Sequence, residues 1–248
     1  MPIYEAEAVV LRKVDYGEAD RILTLLTRER GKVAAIAKSV RRSKSRMAGQ
    51  LDVFAHGTVL LAEGKSMDVV TQFQRITENS ALGSDLKRAA VASVVAEVAD
   101  KIMEERHPAP EMFALVVEAL RHLSDREVAP LLELADFLAR VLSELGYTPE
   151  VNRCARCGGS LGEDGLSFSA LAGGVVCRDC GHHDHGGRLV TSRTVKILRV
   201  LAAGDRDLFF RLRLDAEDIQ AVESVLEAQL EHHLDRQLKS IDFLRRVR

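Results

Sequence analysis

The chain reads Cys154-Ala155-Arg156-Cys157-Gly158-Gly159 and, further on, Cys177-Arg178-Asp179-Cys180-Gly181, and these two stretches decide how its C-terminal half folds. Each Cys-x-x-Cys turn directs two thiols at one point, and nineteen residues separate the two turns. Two such turns supply the four-sulfur tetrahedral shell that Zn²⁺ prefers. Every cysteine of the protein falls within this one window of 27 residues. We therefore predict a zinc ribbon with one structural Zn²⁺, held by Cys154, Cys157, Cys177 and Cys180.

Two other states of these thiols stay open from the sequence, namely reduced or redox-active pairs and two disulfides. A complete cysteine shell leaves no position for water, so the metal is expected to hold structure and not to do chemistry. The run Gly181-His182-His183-Asp184-His185 follows directly. Its histidines are read either as a solvent-facing turn or as additional ligands, and the spacing does not decide between them.

Composition indicates a globular protein of 248 residues, with 46% hydrophobic and 29% charged residues. The net charge is −2, but its distribution is uneven. Residues 1–80 carry thirteen Lys and Arg against ten Asp and Glu, whereas residues 81–150 carry seven against thirteen. The stretch Met1–Glu7 has no charged leader followed by an apolar run, and no apolar segment is long enough for a bilayer. We expect a cytoplasmic protein with no membrane contact.

Periodicity divides the chain into a strand-rich start and a helical remainder. Five β-rich segments with turn residues between them suit a small closed barrel or a compact sheet. They are Ala8–Val14, Ile22–Thr27, Lys32–Ala37, Leu51–Ala62 and Asp68–Thr77, with Gly31 expected at positive φ. From Ser84, read as a helix cap, the spacing is helical. We predict an α+β multi-domain fold, with a strand-rich domain over 1–80 and an α-helical domain over 81–248 that contains the inserted four-cysteine zinc ribbon at 150–188.

A basic run lies between the third and fourth predicted strands. Residues 38–46 hold five cations and no acid or large apolar anchor, which favours a surface loop that contacts phosphates over a merely solvated loop. The predicted DNA-binding residues are Lys38, Arg41, Arg42, Lys44 and Arg46, with Arg12, Arg21 and Lys32 as weaker candidates. If about five phosphates are neutralised, log K should fall against log salt with a slope on the order of −3.5 to −4.5.

Aromatic residues for base stacking are few. In residues 1–80 the candidates are Tyr4, Tyr16, Phe54 and Phe73, and the two phenylalanines are read as core. Binding through backbone charge predicts weak sequence preference and tolerance of single and double strands. No phosphate-binding, dinucleotide, nucleophile-elbow or HExxH motif is present, so we predict that the protein is not an enzyme.

Residues 17–38 read GEADRILTLLTRERGKVAAIAK, the cationic run through Arg46 follows, and Gly146-Tyr147-Thr148-Pro149 precedes the first cysteine pair. The stretch from Gly17 to Arg46 resembles the N-terminal signature of the bacterial recombination mediator family RecO. Ser39 and Val40 stand where that family often has Gly-Ala. The resemblance covers the whole chain, and the stretch from Gly17 to Arg46 is its most specific part.

The resemblance implies that residues 1–80 form an OB-fold β-barrel that binds DNA, followed by a central helical bundle and an inserted zinc ribbon. It also implies DNA repair and recombination by binding single- and double-stranded DNA and annealing complementary strands. RecA would be loaded onto strands coated by single-strand-binding protein (SSB), with RecR and the SSB C-terminal tail as partners. A cytoplasmic, nucleoid-associated location in a bacterium is implied as well.

Three other functions remain compatible with the residues. A zinc-ribbon scaffold for other proteins predicts binding that is insensitive to salt and no annealing. A metal-dependent or thiol enzyme predicts an open metal position or a rapidly alkylated cysteine, which four bound thiolates argue against. A transcription or RNA factor predicts preference for RNA and no annealing.

Overall fold

The computed structural model describes residues 2–42, 45, 47–77, 79–183 and 186–247. Its first five strands close into a barrel in the order β1-β2-β3-β5-β4. These strands are β1 (Ile3–Tyr16), β2 (Asp20–Thr27), β3 (Gly31–Ala37), β4 (His56–Ala62) and β5 (Asp68–Thr77). Neighbours are antiparallel except β3 and β5, which are parallel. This confirms the predicted OB-like barrel.

The barrel interior follows from strand alternation. On β3, Val33, Ala35 and Ala37 point into the core, and the residues between them are half-buried on the outside. Small side chains on this strand leave space for the leucines of β2 and β4 that fill the centre. Gly31 has φ +65°, as predicted, and a Cβ there would lie 1.9 Å from the carbonyl oxygen of His107. Only glycine satisfies both conditions.

The fourth strand is shorter than predicted, because residues 51–55 form a loop. The loop carries Leu51, whose side chain is fully buried although the residue does not lie on a strand. The loop bonds to β1 at Val10, whose N–H donates to the Ala55 carbonyl and whose carbonyl accepts from Phe54 N–H. An apolar run can therefore line a core without belonging to a strand. Phe54 is half-buried at φ +69°, whereas Phe73 lies in the core as expected.

Nine helices occur in the described ranges, seven of them longer than five residues. They are α1 (Ser80–Ser84), α2 (Leu86–Ile102), α3 (Pro110–Ser124), α4 (Pro130–Glu144), α5 (Arg178–Gly181), α6 (Ser192–Ala202), α7 (Arg206–Arg211), α8 (Ala216–Leu234) and α9 (Lys239–Arg246). The chain forms two compact units. The first holds Met1–Val128 and Leu238–Arg248, and the second holds Ala129–Gln237. The predicted division into one domain over 1–80 and another over 81–248 stays a prediction.

Within the first unit, the helix ends differ from expectation at one point. Asp85, and not Ser84, caps α2, because its carboxylate accepts the N–H groups of Lys87 and Arg88. Leu86, the first residue of α2, is apolar but 61% exposed. The C-terminal helix α9 packs on α2 through Ile241 and Leu244.

In the second unit, α4 packs against α6 and α8. The region between α4 and α6 contains β6 (Ser167–Ser169), β7 (Gly174–Val176) and β8 (Arg188–Leu189), which form a small sheet in the order β7-β6-β8. The cysteines flank this sheet, as a ribbon requires. None of the helices in the described parts of the chain combines the length and apolar character needed to cross a membrane.

Candidate metal centre and nucleic-acid interface

The four cysteines converge in the second unit. The sulfur atoms of Cys154, Cys157, Cys177 and Cys180 all lie within 4.8 Å of one another, and Cys157 Sγ is 4.0 Å from Cys177 Sγ. Four sulfurs at about 2.3 Å from a tetrahedral Zn²⁺ would be about 3.8 Å apart. The arrangement therefore fits one tetrahedral metal ion, and the assignment of these four cysteines as its ligands stays a prediction.

Backbone hydrogen bonds around the turns set the directions of the thiols. Gly158 N–H donates to the Cys154 carbonyl at 2.9 Å, and Gly181 N–H donates to the Cys177 carbonyl at 2.8 Å. Gly158 has φ +71°, which a side chain would strain. The two turns are joined directly, since Cys177 N–H donates to Cys154 Sγ at 3.4 Å.

The same contacts affect the acidity of the thiols. Burial alone would raise the pKa of Cys154, but backbone N–H groups, first that of Cys157 and then that of Cys177, outweigh burial and lower its pKa to about 6. Burial and the three neighbouring thiols raise the pKa of Cys180 to about 12. Four thiolates at this spacing repel one another, so a cation is needed to hold them all deprotonated.

The histidines after the last cysteine do not join this cluster where they are described. His182 and His183 are exposed, and among the described residues only the four cysteines form a group with metal-ligand spacing at this position. His185 lies outside the described residues. Within that range the geometry favours the solvent-facing turn.

The basic segment is anchored over its first half to the turn between β1 and β2. Ser39 N–H donates to Asp20 Oδ1 at 2.7 Å, and Arg41 N–H donates to the Ala19 carbonyl at 2.9 Å. Val40 is buried between these two bonds. Ser39 has φ +55°, a left-handed conformation that explains why glycine suits this position. Lys44 and Arg46, both predicted to contact DNA, lie outside the described residues.

Three of the predicted DNA-binding cations are available for a ligand. Lys38, Arg42 and Arg12 are exposed, and their side chains form no ion pair or hydrogen bond with another residue of the described ranges. Lys38 and Arg42 flank the anchored turn, and Arg12 lies on the adjoining β1 strand.

Arg41 is partly engaged. Its Nε lies 3.3 Å from Asp15 Oδ2, and one terminal nitrogen donates to the Gly17 carbonyl at 3.4 Å. The guanidinium therefore braces the tip of the β1–β2 hairpin and remains about one-third exposed.

The two other weaker candidates have partners within the fold. Arg21 pairs with Asp15 at 3.0 Å and approaches Asp52 at 3.9 Å, and its side chain is 21% exposed. Lys32 donates to the Asp100 carbonyl at 2.6 Å and lies 3.3 Å from the Asp100 carboxylate, with its side chain 18% exposed. Asp52 and Asp100 are far from these cations in the sequence, so no local pattern could have revealed those two contacts.

Of the four aromatic candidates for stacking, Tyr16 is the most accessible, with 55% of its surface exposed at the end of β1. Tyr4 instead lies under Arg30, whose guanidinium is 3.8 Å from the ring centroid, and its hydroxyl donates to buried Asp68. Strict alternation along β1 would place both tyrosines on the same face, but the register shift between Val10 and Arg12 leaves Tyr4 packed against the core and turns Tyr16 outward.

Comparisons with known proteins agree with this architecture. A family model described as "Recombination protein O N terminal" matches residues 1–78, and one described as "Recombination protein O C terminal" matches residues 83–242. Proteins named "DNA repair protein RecO" from Frankia casuarinae and Nocardioides sp. are 40% and 39% identical to this chain. The alignments cover 100% and 98% of this chain and 100% of each relative. The relative of the same name from Desulforudis audaxviator is 36% identical over 100% of this chain and 98% of its own length.

Proposed function

The chain belongs to the RecO family of DNA repair proteins, and from this premise we propose that it anneals complementary DNA strands and, with RecR, helps to load RecA onto SSB-coated single-stranded DNA. A role in recombinational repair follows from the family itself. The finer activities are supported by one observation above all: Lys38, Arg42 and Arg12 stand exposed and unpaired, within the described ranges, on or beside the β1–β2 end of an OB-like barrel.

Annealing requires that two mutually repelling phosphodiester backbones come close together. Cations that neutralise phosphates release condensed counterions and lower this repulsion without reading bases. Lys38 and Arg42 supply such charges on a loop held at defined points by Ser39 and Arg41. The binding energy therefore comes from charge, and the two strands select each other by base pairing.

The metal has a structural role in this proposal. The cysteine cluster is expected to bind one Zn²⁺, and when bound the ion would neutralise the thiolates and hold the two turns of the ribbon together. With all four positions of a tetrahedron taken by sulfur, no site is left for a substrate. The proposed activity accordingly needs no catalytic step.

The partners are proposed from the family. RecR and the C-terminal tail of SSB would bind in addition to DNA, and RecA would be affected indirectly. The excess of acidic residues over 81–150 favours DNA binding at the barrel over binding at this helical part.

A strand-annealing assay tests the proposal. Fluorescently labelled complementary oligonucleotides coated with SSB are mixed with the zinc-loaded protein, and duplex formation is followed over time. The double variant Lys38→Ala/Arg42→Ala should anneal at least about tenfold more slowly, because two phosphate contacts are lost.

Lys65→Ala is the matched control. It removes an exposed lysine from the turn between β4 and β5. This turn lies beside the start of β1, because Glu63 N–H donates to the Pro2 carbonyl. The hairpin tip is at the opposite end of β1, so the control leaves the proposed DNA contacts in place. It should anneal like the unchanged protein. Absence of annealing by the unchanged protein at low salt, or equal rates for the double variant and the control, would refute the proposal. An RNA factor would instead favour RNA over DNA of the same sequence.

A further inference from the structure

The zinc ribbon contains a cavity of about 400 Å³, a size within the range of about 300–1,000 Å³ that is typical of small-ligand sites. Its walls come from β6, β8 and the segment around α5, all within the second unit. Ser167 of β6 and Leu189 of β8 are opposite each other in the sheet. Both side chains therefore project to the face that bears the cavity.

The floor of the cavity presents a hydroxyl group that lacks a partner. Ser167 is only 5% exposed, and its Oγ forms no hydrogen bond with any residue of the described ranges. Gly181 closes one side of it, because a Cβ at that position would lie 2.7 Å from the Oγ. Buried polar groups in proteins nearly always have a hydrogen-bond partner. The missing partner is therefore expected from a molecule that enters the cavity.

Two opposite charges line the same cavity without pairing. The side chains of Asp164 and Arg178 are exposed and form neither an ion pair nor a hydrogen bond with the residues that the structure describes. The stem of Arg178 lies against the backbone of Gly165, where an added Cβ would be 2.7 Å from Arg178 Cγ. This contact restricts the arginine side chain before a ligand arrives, which lowers the entropy cost of binding.

We propose that this cavity binds a guanine base, held by Asp164, Ser167 and Arg178. The Asp164 carboxylate accepts the N1–H and N2–H groups of the base, and the Arg178 guanidinium donates to O6 and N7. The Ser167 hydroxyl gains a polar atom of the ring as its partner. Leu189, which is 87% exposed, supplies apolar contact to the flat face of the ring.

Guanine matches these groups better than the other bases do. It alone has two adjacent N–H donors for a carboxylate on one edge and two acceptors for a guanidinium on the next. Adenine places an amino donor beside N7, which repels a guanidinium, and the pyrimidines have no N7. A phosphate group would be repelled by Asp164, so the two opposite charges argue against a simple anion site.

Free guanine nucleotides and unpaired guanines of a nucleic-acid strand share this chemistry. A guanine paired with cytosine does not, because its N1–H and N2–H groups are already engaged. The inference goes beyond the proposed function, since neither strand annealing nor RecA loading requires a base site in the ribbon.

Fluorescence anisotropy of labelled guanosine monophosphate (GMP) tests the inference in the zinc-loaded, full-length protein. The monophosphates of adenosine, cytidine and uridine should compete at least about fivefold less well than unlabelled GMP. Arg178→Ala should weaken GMP binding by about 5- to 150-fold, and Ser167→Ala by about 2- to 12-fold. Arg153→Ala, which removes an exposed ribbon arginine outside the cavity, should bind GMP like the unchanged protein. Metal analysis should find one zinc per chain in every variant, which excludes loss of the fold.

Asp164→Asn should change which purine fits. Xanthine carries a carbonyl oxygen where guanine has N2, so an asparagine amide can donate to xanthine where a carboxylate cannot. The variant should lose about 5- to 150-fold in affinity for GMP and should bind xanthosine monophosphate more tightly than the unchanged protein does. A merely structural role of Asp164 would lower both affinities together.

Two labelled oligonucleotides separate the sources of the base, namely an all-thymine strand and a strand of equal length with one central guanine. Tighter binding of the guanine strand that Asp164→Asn abolishes identifies a strand as a ligand, whereas GMP binding without this preference identifies a free nucleotide. Equal competition by all four monophosphates, or neither GMP binding nor a preference for the guanine strand, would overturn the inference. These results do not depend on the barrel cations, so they are distinguishable from a failure of the annealing assay.

Discussion

The salt dependence of DNA binding should become shallower when Lys38 and Arg42 are both changed to alanine. Each cation that contacts a phosphate contributes about 0.7 to the slope of log K against log salt for single strands and about 0.9 for duplexes. Both side chains are exposed and without a partner in the described ranges, so neither charge is already neutralised. The slope for a single strand should therefore fall in magnitude by about 1.4, and the slope for a duplex by about 1.8.

This change is large enough to measure. Over a fourfold increase in salt, from about 50 to about 200 mM, a slope difference of about 1.4 means that the unchanged protein loses about sevenfold more affinity than the variant. Anisotropy titrations at four or five salt concentrations determine both slopes. Nitrocellulose retention of a radiolabelled oligonucleotide provides an independent measurement.

Lys32→Ala is the informative control for the same experiment. Lys32 is occupied by the carbonyl and carboxylate of Asp100, so its loss should lower the stability of the protein and leave the salt slope unchanged. A slope for the double variant within about 0.3 of that of the unchanged protein would refute the assignment of Lys38 and Arg42 to phosphates. A flattened slope for Lys32→Ala would show that burial in the free protein does not exclude a role in binding.

Three further outcomes are expected. Glu97 of α2 accepts the N–H groups of Lys239 and Ser240 and the Ser240 hydroxyl, so Glu97→Ala should lower the free energy of unfolding by about 1–2 kcal/mol in urea titrations. Glu97→Gln, which keeps an acceptor oxygen, should lose less, and equal losses would contradict the capping role. Removal of the metal with a chelator should open residues 154–180 to trypsin, and metal analysis should find one zinc per chain; an unchanged digestion pattern would argue against a structural ion. Burial would raise the pKa of Asp68, but hydrogen bonds from Tyr4, Gly64 and Arg106 outweigh it and hold the pKa below the ordinary value of 3.8. Unfolding therefore takes up a proton, so the stabilisation by Asp68 is complete above about pH 4 and is lost as the pH falls through the lower folded-state pKa. Asp68→Asn should flatten this acid limb in unfolding titrations, and an unaltered limb would contradict the assignment.

Short-range sequence patterns were sufficient to predict those features whose geometry is determined by residues close together in the chain. The Cys-x-x-Cys turns predicted the metal-ligand cluster because the short turn already brings two thiols together. The β-rich segments and the turn residues between them predicted the barrel strands, and the turn before Lys32 predicted positive φ at Gly31. In each case neighbouring residues determine the geometry.

Two predictions were wrong, namely that Leu51 lies on the fourth strand and that Ser84 caps α2. Both were wrong because residue type alone does not identify the hydrogen-bond partner of a backbone group. Leu51 is apolar because it fills the core, but the loop that carries it takes its hydrogen bonds from Val10. Apolar character reports burial, and only the hydrogen-bond partner distinguishes a strand from a buried loop. Ser84 and Asp85 are both good caps, and the carboxylate of Asp85 is the one that reaches the first free N–H groups of α2.

By itself the amino-acid order determined the class of protein: strand-rich start, helical remainder, four sulfurs within one short window and a cationic run between two strands. These properties depend on spacing along the chain, which folding cannot alter. Tertiary structure alone decided which charges remain available. Lys32 and Arg21 meet carboxylates brought from elsewhere in the chain, whereas Lys38, Arg42 and Arg12 meet none within the described residues. A charge becomes a binding group only when the fold leaves it without a partner, and that depends on contacts between residues far apart in sequence.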